Sequence, residues 1–160
     1  MEISARLARH IREFNTGGNM TWSNISDVLA DVTWQEATYE LEGFNTIAKL
    51  VYHIQYYMEG VSEVFAGGEL SIRDKYSFDC PVFDDAASWK NFKQRVLKIG
   101  ELFADRIAAY PDTSWEEDFS DEKYGVYFRN IIGLLEHSYY HLGQIVIIKK
   151  MLRSTYLNRD

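Results

Sequence analysis

Two histidines, His137 and His141, lie four residues apart inside a long apolar run of helical spacing that continues to Met151. Because four residues advance an α-helix by little more than one turn, the two imidazole rings would lie on the same face. The apolar residues that share this face predict that it is buried. Two inward imidazoles at this spacing are well placed to hold one transition-metal ion between them.

A third histidine, His53, lies in another apolar stretch of helical spacing. We predict that His53, His137 and His141 converge in the interior and bind a divalent metal. Imidazole ligands suit zinc, nickel, copper or iron, and zinc or nickel is our working pair. Three neutral ligands would leave a coordination position open, where a water or a thiol is activated as a nucleophile. The pattern therefore favours hydrolysis or thiol transfer on a small-molecule substrate. The competing interpretation is that the histidines are hydrogen-bonded core residues.

The residues around His137 do not form the zincin motif of metallopeptidases. In that motif a glutamate follows the first histidine, whereas here Ser138 follows it and Glu136 precedes it. Glu136 would point about 100° away around the helix, so it is not predicted as a ligand. Gln144, three residues after His141, is predicted to fix the tautomer of a ring or to contact a substrate. No catalytic residue is assigned.

Tyrosines near the histidines are candidates for a substrate pocket. Tyr57 follows His53 by one helical turn, and Tyr140 precedes His141. Packing in the core or in an interface is the alternative for both. Cys80 has no neighbouring base in the sequence and is interpreted as an unreactive thiol. His10 has no partner at ligand spacing and is interpreted as an ordinary polar residue.

Two segments of this chain resemble the DinB/YfiT-like family of four-helix-bundle proteins, and the resemblance covers nearly the whole chain. The segments are NTIAKLVYHIQYYMEG, which contains His53, and EHSYYHLGQIVIIKK, which contains His137 and His141. In that family the first histidine lies on the second helix, and the other two form an H-x-x-x-H pair on the last helix. The pair is often followed by Gly-Gln, matched here by Gly143 and Gln144.

The resemblance implies that His53, His137 and His141 bind a divalent metal, usually zinc or nickel. It also implies a homodimer, since many members are dimeric. Where activity is known, members are low-molecular-weight thiol transferases or thiol-dependent isomerases, so a low-molecular-weight thiol is an expected cofactor. A metal-dependent hydrolase remains the other enzymatic expectation. The alternative function is a non-catalytic metal-binding or interaction bundle.

Hydrophobic spacing predicts four principal helices, with a shorter helical piece after the first. Ser23 is the expected N-cap of that piece, and Asn45 or Thr46 of the second principal helix. The predicted ranges are residues 3–14, 23–30, 47–65 and 86–110, and a last helix that runs from about Gly125 or Tyr127 to Arg153. A long connection without regular structure, residues 69–85, separates principal helices two and three. This order predicts an all-α four-helix bundle, DinB-like, that forms a single domain over residues 1–160.

Composition narrows the possible partners. The chain has 24 acidic against 17 basic side chains, a net charge of −7, and no basic run interleaved with aromatic residues, so nucleic acid is not an expected partner. No apolar run is long enough to span a membrane. Cys80, the single cysteine, cannot form an internal disulfide, and the N-terminus does not resemble a signal peptide, so a cytoplasmic location is expected.

Overall fold

The structure is a computed structural model that describes residues 2–157, with side chains described through residue 154. Its regular structure in this range consists of six α-helices and three short 3-10 turns. The helices are α1 (Ile3–Thr16), α2 (Ile25–Ala30), α3 (Trp34–Thr38), α4 (Ile47–Phe65), α5 (Ala86–Ala108) and α6 (Tyr127–Leu157). Residues 2–157 contain no β-strand; an isolated bridge joins Asp118 and Val126. The predicted all-α class is confirmed.

The four long helices α1, α4, α5 and α6 each pack against two of the others. α1 lies along α5, α4 packs against α5 and α6, and α6 returns to contact α1. Each helix contributes to the shared core side chains of which at most 1% is exposed to solvent. Among them are Ile11, Ile54, Phe103 and Ile145. This closed order of contacts brings α4 and α6 side by side, and these are the helices that carry the three histidines.

The start of α4 is set by Thr46, whose hydroxyl accepts a hydrogen bond from the backbone N–H of Lys49 at 3.2 Å. Of the two predicted caps, Thr46 is the one that the structure uses. The helix ends at Phe65, just before Gly67, which adopts φ +82°, a conformation that glycine allows without strain. These signals fix the register in which His53 points into the protein.

The last helix, α6, is the longest, with 31 residues, and so extends about 46 Å. It begins at Tyr127, one of the two predicted starts, and continues to Leu157, four residues beyond the predicted end. In the part of the chain that the structure describes, no helix combines the length and the apolar character needed to cross a membrane.

The segment between α1 and α4 differs most from the sequence prediction. α2 begins at Ile25, and its N-cap is Asn24, whose side chain accepts from the backbone N–H of Asp27 at 2.9 Å, so the prediction of Ser23 is wrong. The short helix α3 was not predicted. Thr33 and Glu36 form a capping box at its start, which allows a single turn to form where hydrophobic periodicity is too short to detect.

Two other helix ends shift slightly. α1 continues two residues past the predicted Phe14 to Thr16, and α5 ends at Ala108 rather than Tyr110. Gly17 closes α1 at φ +105°. These shifts do not affect the helices that carry the histidines.

The long connection between α4 and α5 folds back over α4. It contains one 3-10 turn, Asp74–Tyr76, and otherwise has no regular structure, as predicted. The connection approaches α4 so closely at Gly60 that a Cβ atom there would lie 2.1 Å from Cγ2 of Ile72. Tyr56 anchors it further, because its hydroxyl bonds both the carbonyl oxygen and the N–H of Arg73. Glycine at position 60 thus lets the connection cover the surface beside His53.

Candidate metal centre

The three predicted histidines come together between α4 and α6. Nε2 of His137 lies 3.1 Å from Nε2 of His53 and 3.0 Å from Nε2 of His141. The ring nitrogens of the three residues that would act as ligands all lie within 4.8 Å of one another. Within the described residues, this is the one cluster of histidine, cysteine or acidic side chains with the proximity needed to hold a metal ion.

The outer nitrogens of two rings are held by oxygen atoms that can only accept hydrogen bonds. Nδ1 of His53 donates to the carbonyl oxygen of Ser77 at 3.2 Å, and Nδ1 of His141 donates to Oε1 of Gln144 at 2.7 Å. A neutral imidazole carries one proton, so a proton on Nδ1 leaves Nε2 with a lone pair. Both Nε2 lone pairs therefore face the shared space, oriented by partners of the kind that metal-binding histidines use.

This arrangement of donors and acceptors fits a cation. His137 can donate one proton from Nε2, which satisfies at most one of the two facing lone pairs. A cation bound to all three Nε2 atoms would satisfy the whole cluster. Two nitrogen ligands about 2.0–2.1 Å from a tetrahedral ion lie roughly 3.3 Å apart, close to the separations of 3.0 and 3.1 Å observed from His137.

Burial keeps the rings in the form that binds metals. It lowers the pKa of His137 to about 4, with smaller contributions from the neighbouring His141 and His53. The pKa of His53 is also lowered, chiefly by burial and then by His141. Both rings are therefore neutral at pH 7, and neutral imidazole is the ligand form.

Aromatic side chains enclose the cluster on the α4 side. Phe78, from the long connection, stacks on His53 with ring centroids 4.1 Å apart and planes 13° apart. Tyr57 presents its ring at 5.0 Å from that of His53 and at 5.1 Å from that of His137. These contacts limit the motion of the imidazoles and keep water from one side of the site.

Tyr57 and Asp74 form a polar pair beside the cluster. The Tyr57 hydroxyl donates to Oδ1 of Asp74 at 2.7 Å. Burial, together with the Asp74 carboxylate, raises the pKa of Tyr57 to about 12. The phenol therefore stays protonated at neutral pH and is not a base there. Tyr57 also lines, with His137, a cleft of about 700 Å³ between α4 and α6.

Tyr140 has a different position from Tyr57. Its side chain is 64% exposed, and its hydroxyl accepts a hydrogen bond from Nε2 of Gln144 at 3.1 Å. Its ring also lies against His141, with centroids 5.0 Å apart. Tyr140 is outside the lining of the 700 Å³ cleft, and its contacts instead steady the amide that holds His141.

Two residues that the sequence placed outside the site lie apart from the cluster. His10 is exposed on α1, where Nδ1 lies 3.4 Å from the carboxylate of Glu13. Cys80 is half-buried, and burial raises the pKa of its thiol to about 11, so the thiol is neutral at pH 7. Neutral thiols are poor nucleophiles, which agrees with an unreactive cysteine.

Sequence reasoning missed the contribution of the long connection. Ser77, Phe78 and Asp74 all reach the site from a segment without helical or strand periodicity. Their positions depend on how the connection folds back over Gly60, which no local pattern encodes. The 3-10 turn at Asp74–Tyr76 is the one local signal, because Ser77 follows it directly and its hydroxyl donates to the carbonyl oxygen of Asp74.

Comparisons of the chain with models of protein families, with curated proteins and with solved structures gave no match in any of the three. The function of the site must therefore be inferred from the arrangement of its own residues.

Proposed function

We propose that this chain is a DinB/YfiT-like four-helix bundle with a three-histidine metal centre. The ring of contacts among α1, α4, α5 and α6 supports the bundle. The positions of the histidines also agree with the resemblance, since His53 lies on the second long helix and His137 and His141 on the last. The single domain, the homodimer and the cytoplasmic location remain predictions from the sequence.

The function that the geometry supports best is that of a metal-dependent enzyme acting on a small molecule, a thiol S-transferase or a hydrolase. The observation that carries this proposal is the convergence of three Nε2 atoms beside an open cleft that His137 itself lines. A zinc or nickel ion bound there would supply a Lewis acid that lowers the pKa of a water or thiol. A purely structural metal would need no cleft at its side.

The residues of the chain have distinct roles in this proposal. His53, His137 and His141 hold the ion. The Ser77 carbonyl and Gln144 keep two of the rings in the tautomer and orientation that ligation requires. Burial keeps His53 and His137 neutral, and the cleft brings a substrate next to His137.

Metal analysis tests the centre directly. We expect the purified protein, or protein incubated with zinc or nickel and then desalted, to hold one equivalent of metal by mass spectrometry. His137→Gln removes one ligand and should lose this equivalent, whereas His10→Gln changes a histidine outside the cluster and should keep it. Equal metal content in all three proteins would overturn the proposal.

A second experiment separates an enzyme from a non-catalytic metal-binding bundle. The metal-loaded protein is assayed with a small thiol and an alkylating acceptor, and separately with ester substrates. We expect turnover that disappears on chelation and in His137→Gln. If the protein binds metal stoichiometrically, loses stability on chelation and turns over neither class of substrate, the binding module is correct and the enzyme proposal fails.

A further inference from the structure

The side chains that line the cleft beside the candidate metal centre differ in polarity and charge from one end to the other. One end is formed by Tyr57 and His137, and the other by Arg129. Arg129 and His137 are eight residues apart on α6, which places them about 12 Å apart along the helix axis. The cleft is therefore long enough for an extended small molecule that reaches from the histidines to the guanidinium group.

The middle of the cleft is apolar, and at Gly133 no side chain covers the backbone of α6. Val61, Ile132 and Leu134 contribute apolar side chains to its lining. Between the two ends lies Gly133, where an added Cβ would meet no atom within 4 Å. A side chain at this position would project into open space in the cleft, so glycine leaves room for a ligand to lie against the helix.

Arg129 is a positioned cation that has no counter-ion among the residues that the structure describes. Its Nη1 donates to the carbonyl oxygen of Tyr124 at 2.8 Å, which fixes the side chain and leaves other N–H groups available. None of the carboxylates described in the structure forms an ion pair with it. Several other arginines on the long helices do pair with carboxylates: Arg12, Arg95, Arg106 and Arg153.

The charges of the cleft favour one orientation of an anionic ligand. Glu136 lies at the histidine end of the lining, seven residues after Arg129. Its carboxylate repels an anion at that end, whereas Arg129 attracts one at the opposite end. A molecule with a single terminal anion would therefore bind with this group toward Arg129 and its other end toward the histidines.

We propose that the substrate of this site is a small amphipathic anion, with a carboxylate or similar group on Arg129 and an apolar body across Gly133. The proposal rests on the function given above, because it assigns the reacting end of the molecule to the metal centre. Binding of the anion does not itself require the metal, so the two proposals are tested separately.

The probe is octanoate, compared with 1-octanol, which has the same chain without the charge. Each is titrated into the whole 15N-labelled chain, as purified and again after chelation, while backbone amide shifts are followed by NMR. We expect shifts at Gly133 and its neighbours on α6, and roughly tenfold tighter binding of octanoate because a charge-assisted hydrogen bond is added. Octanoate that binds no more tightly than octanol, or shifts confined to other surfaces, would overturn the proposal.

Two pairs of variants sharpen the result. Arg129→Gln should remove the preference for octanoate and leave octanol binding unchanged, whereas Arg129→Lys should keep part of the preference. Gly133→Leu should block both ligands without loss of metal, and Gly143→Leu, at an exposed glycine on the same helix with equal open space, should block neither. An octanoate preference that persists in Arg129→Gln would show that the anion binds elsewhere. If octanoate binds as expected but the protein binds no metal, the proposed function is overturned, and the anion site stands as a binding site without the role of substrate.

Discussion

Two polar clusters lie along α6, and they are built on opposite principles. Toward the C-terminal end, Lys149 and Arg153 pair with Asp31 and Glu36 from the segment that precedes α4. Each charge there meets an opposite charge at the protein surface. Nearer the middle of the helix, three imidazoles turn their Nε2 atoms toward one another, and the ring of His137 has no acidic partner among the described residues.

In the first cluster every charged side chain has a partner within the protein, whereas in the histidine cluster at least one nitrogen has none. The ion pairs satisfy all their members, and they fasten α2 and α3 to α6. Arg153, and then Lys149, hold the pKa of Asp31 well below its ordinary range, as expected of a stabilised carboxylate. The histidine cluster leaves at least one lone pair unsatisfied in a partly buried space, which costs stability unless a cation is bound. Clusters in which polar groups lack a hydrogen-bonding partner within the protein are commonly functional sites.

The largest expected effect is the response of each cluster to metal. A ligand present at 100 times its Kd adds about 2.7 kcal/mol to the free energy of unfolding, which in a protein of this size raises Tm by roughly 5–10 °C. We expect zinc or nickel to produce this shift in the wild-type protein and not in His137→Ala, measured by calorimetry. Asp31→Asn, which alters only the ion pairs, should keep the full shift. An equal shift in His137→Ala would contradict the assignment.

A smaller effect is expected from the side chain that orients His141. Replacing Gln144 with alanine removes the acceptor that holds Nδ1 and should weaken metal binding about tenfold, or about 1.4 kcal/mol, because partners of ligand histidines typically have this influence. Gln144→Glu retains an acceptor and should bind metal at least as tightly as wild type. Competition titration with a chelator of known affinity measures both. Unchanged affinity in Gln144→Ala would show that the contact has no role in the site.

The two clusters should also respond to different ranges of pH in the metal-free protein. The ordinary pKa of histidine is 6.5, and burial holds that of His137 near 4 in the folded state. Below pH 6.5 the unfolded chain therefore binds a proton that the folded chain does not, and stability falls as the pH falls from 6.5 toward 4. The ion pairs behave differently. Arg153 is the chief cause of the lowered pKa of Glu36, so this pair contributes fully to the free energy of unfolding until the pH falls below 4.5, the ordinary pKa of a glutamate.

Urea unfolding between pH 4.5 and pH 7 measures this contrast. His137→Gln should show a smaller loss of stability across the range than wild type, since it lacks one of the titrating rings. Between pH 7 and pH 4.5, the free energy of unfolding of Arg153→Gln should fall by the same amount as that of the wild-type protein. The interpretation fails if His137→Gln and wild type have the same dependence on pH.

The smallest expected effect is that of the ion pairs themselves. Arg153→Ala should lower the free energy of unfolding by about 1 kcal/mol or less at pH 7, because its partners are partly exposed and such pairs are screened by water and salt. The loss should be smaller still in 1 M salt. Metal affinity should not change, and a large drop in affinity would show that the two clusters are coupled along α6.

Most of the site could be predicted from sequence because its central residues lie on helices. His137 and His141 share a face through their spacing alone, and the apolar pattern around His53 gives its direction. Gln144 follows from the same helical geometry. The hydrophobic pattern does not tell which helices lie side by side. The resemblance to a known family supplied that expectation.

The parts that could not be predicted lie outside regular helices. Ser77 and Phe78 reach His53 only because the long connection folds over Gly60, and this path depends on tertiary contacts such as that with Ile72. The helix α3 was missed because one turn shows no periodicity. Its capping box at Thr33 and Glu36, by contrast, is a local signal that sequence analysis could have used.

X-ray absorption spectroscopy of the zinc-loaded protein tests the central claim most directly. The convergence of His53, His137 and His141 predicts a coordination shell with three imidazole nitrogens about 2.0–2.1 Å from the ion, and the outer-ring scattering that imidazole produces. His137→Gln should lose the ion after desalting, as in the metal analysis, and should therefore show no three-imidazole shell. A shell of oxygen atoms, or one with fewer than three imidazoles in the wild-type protein, would contradict the account.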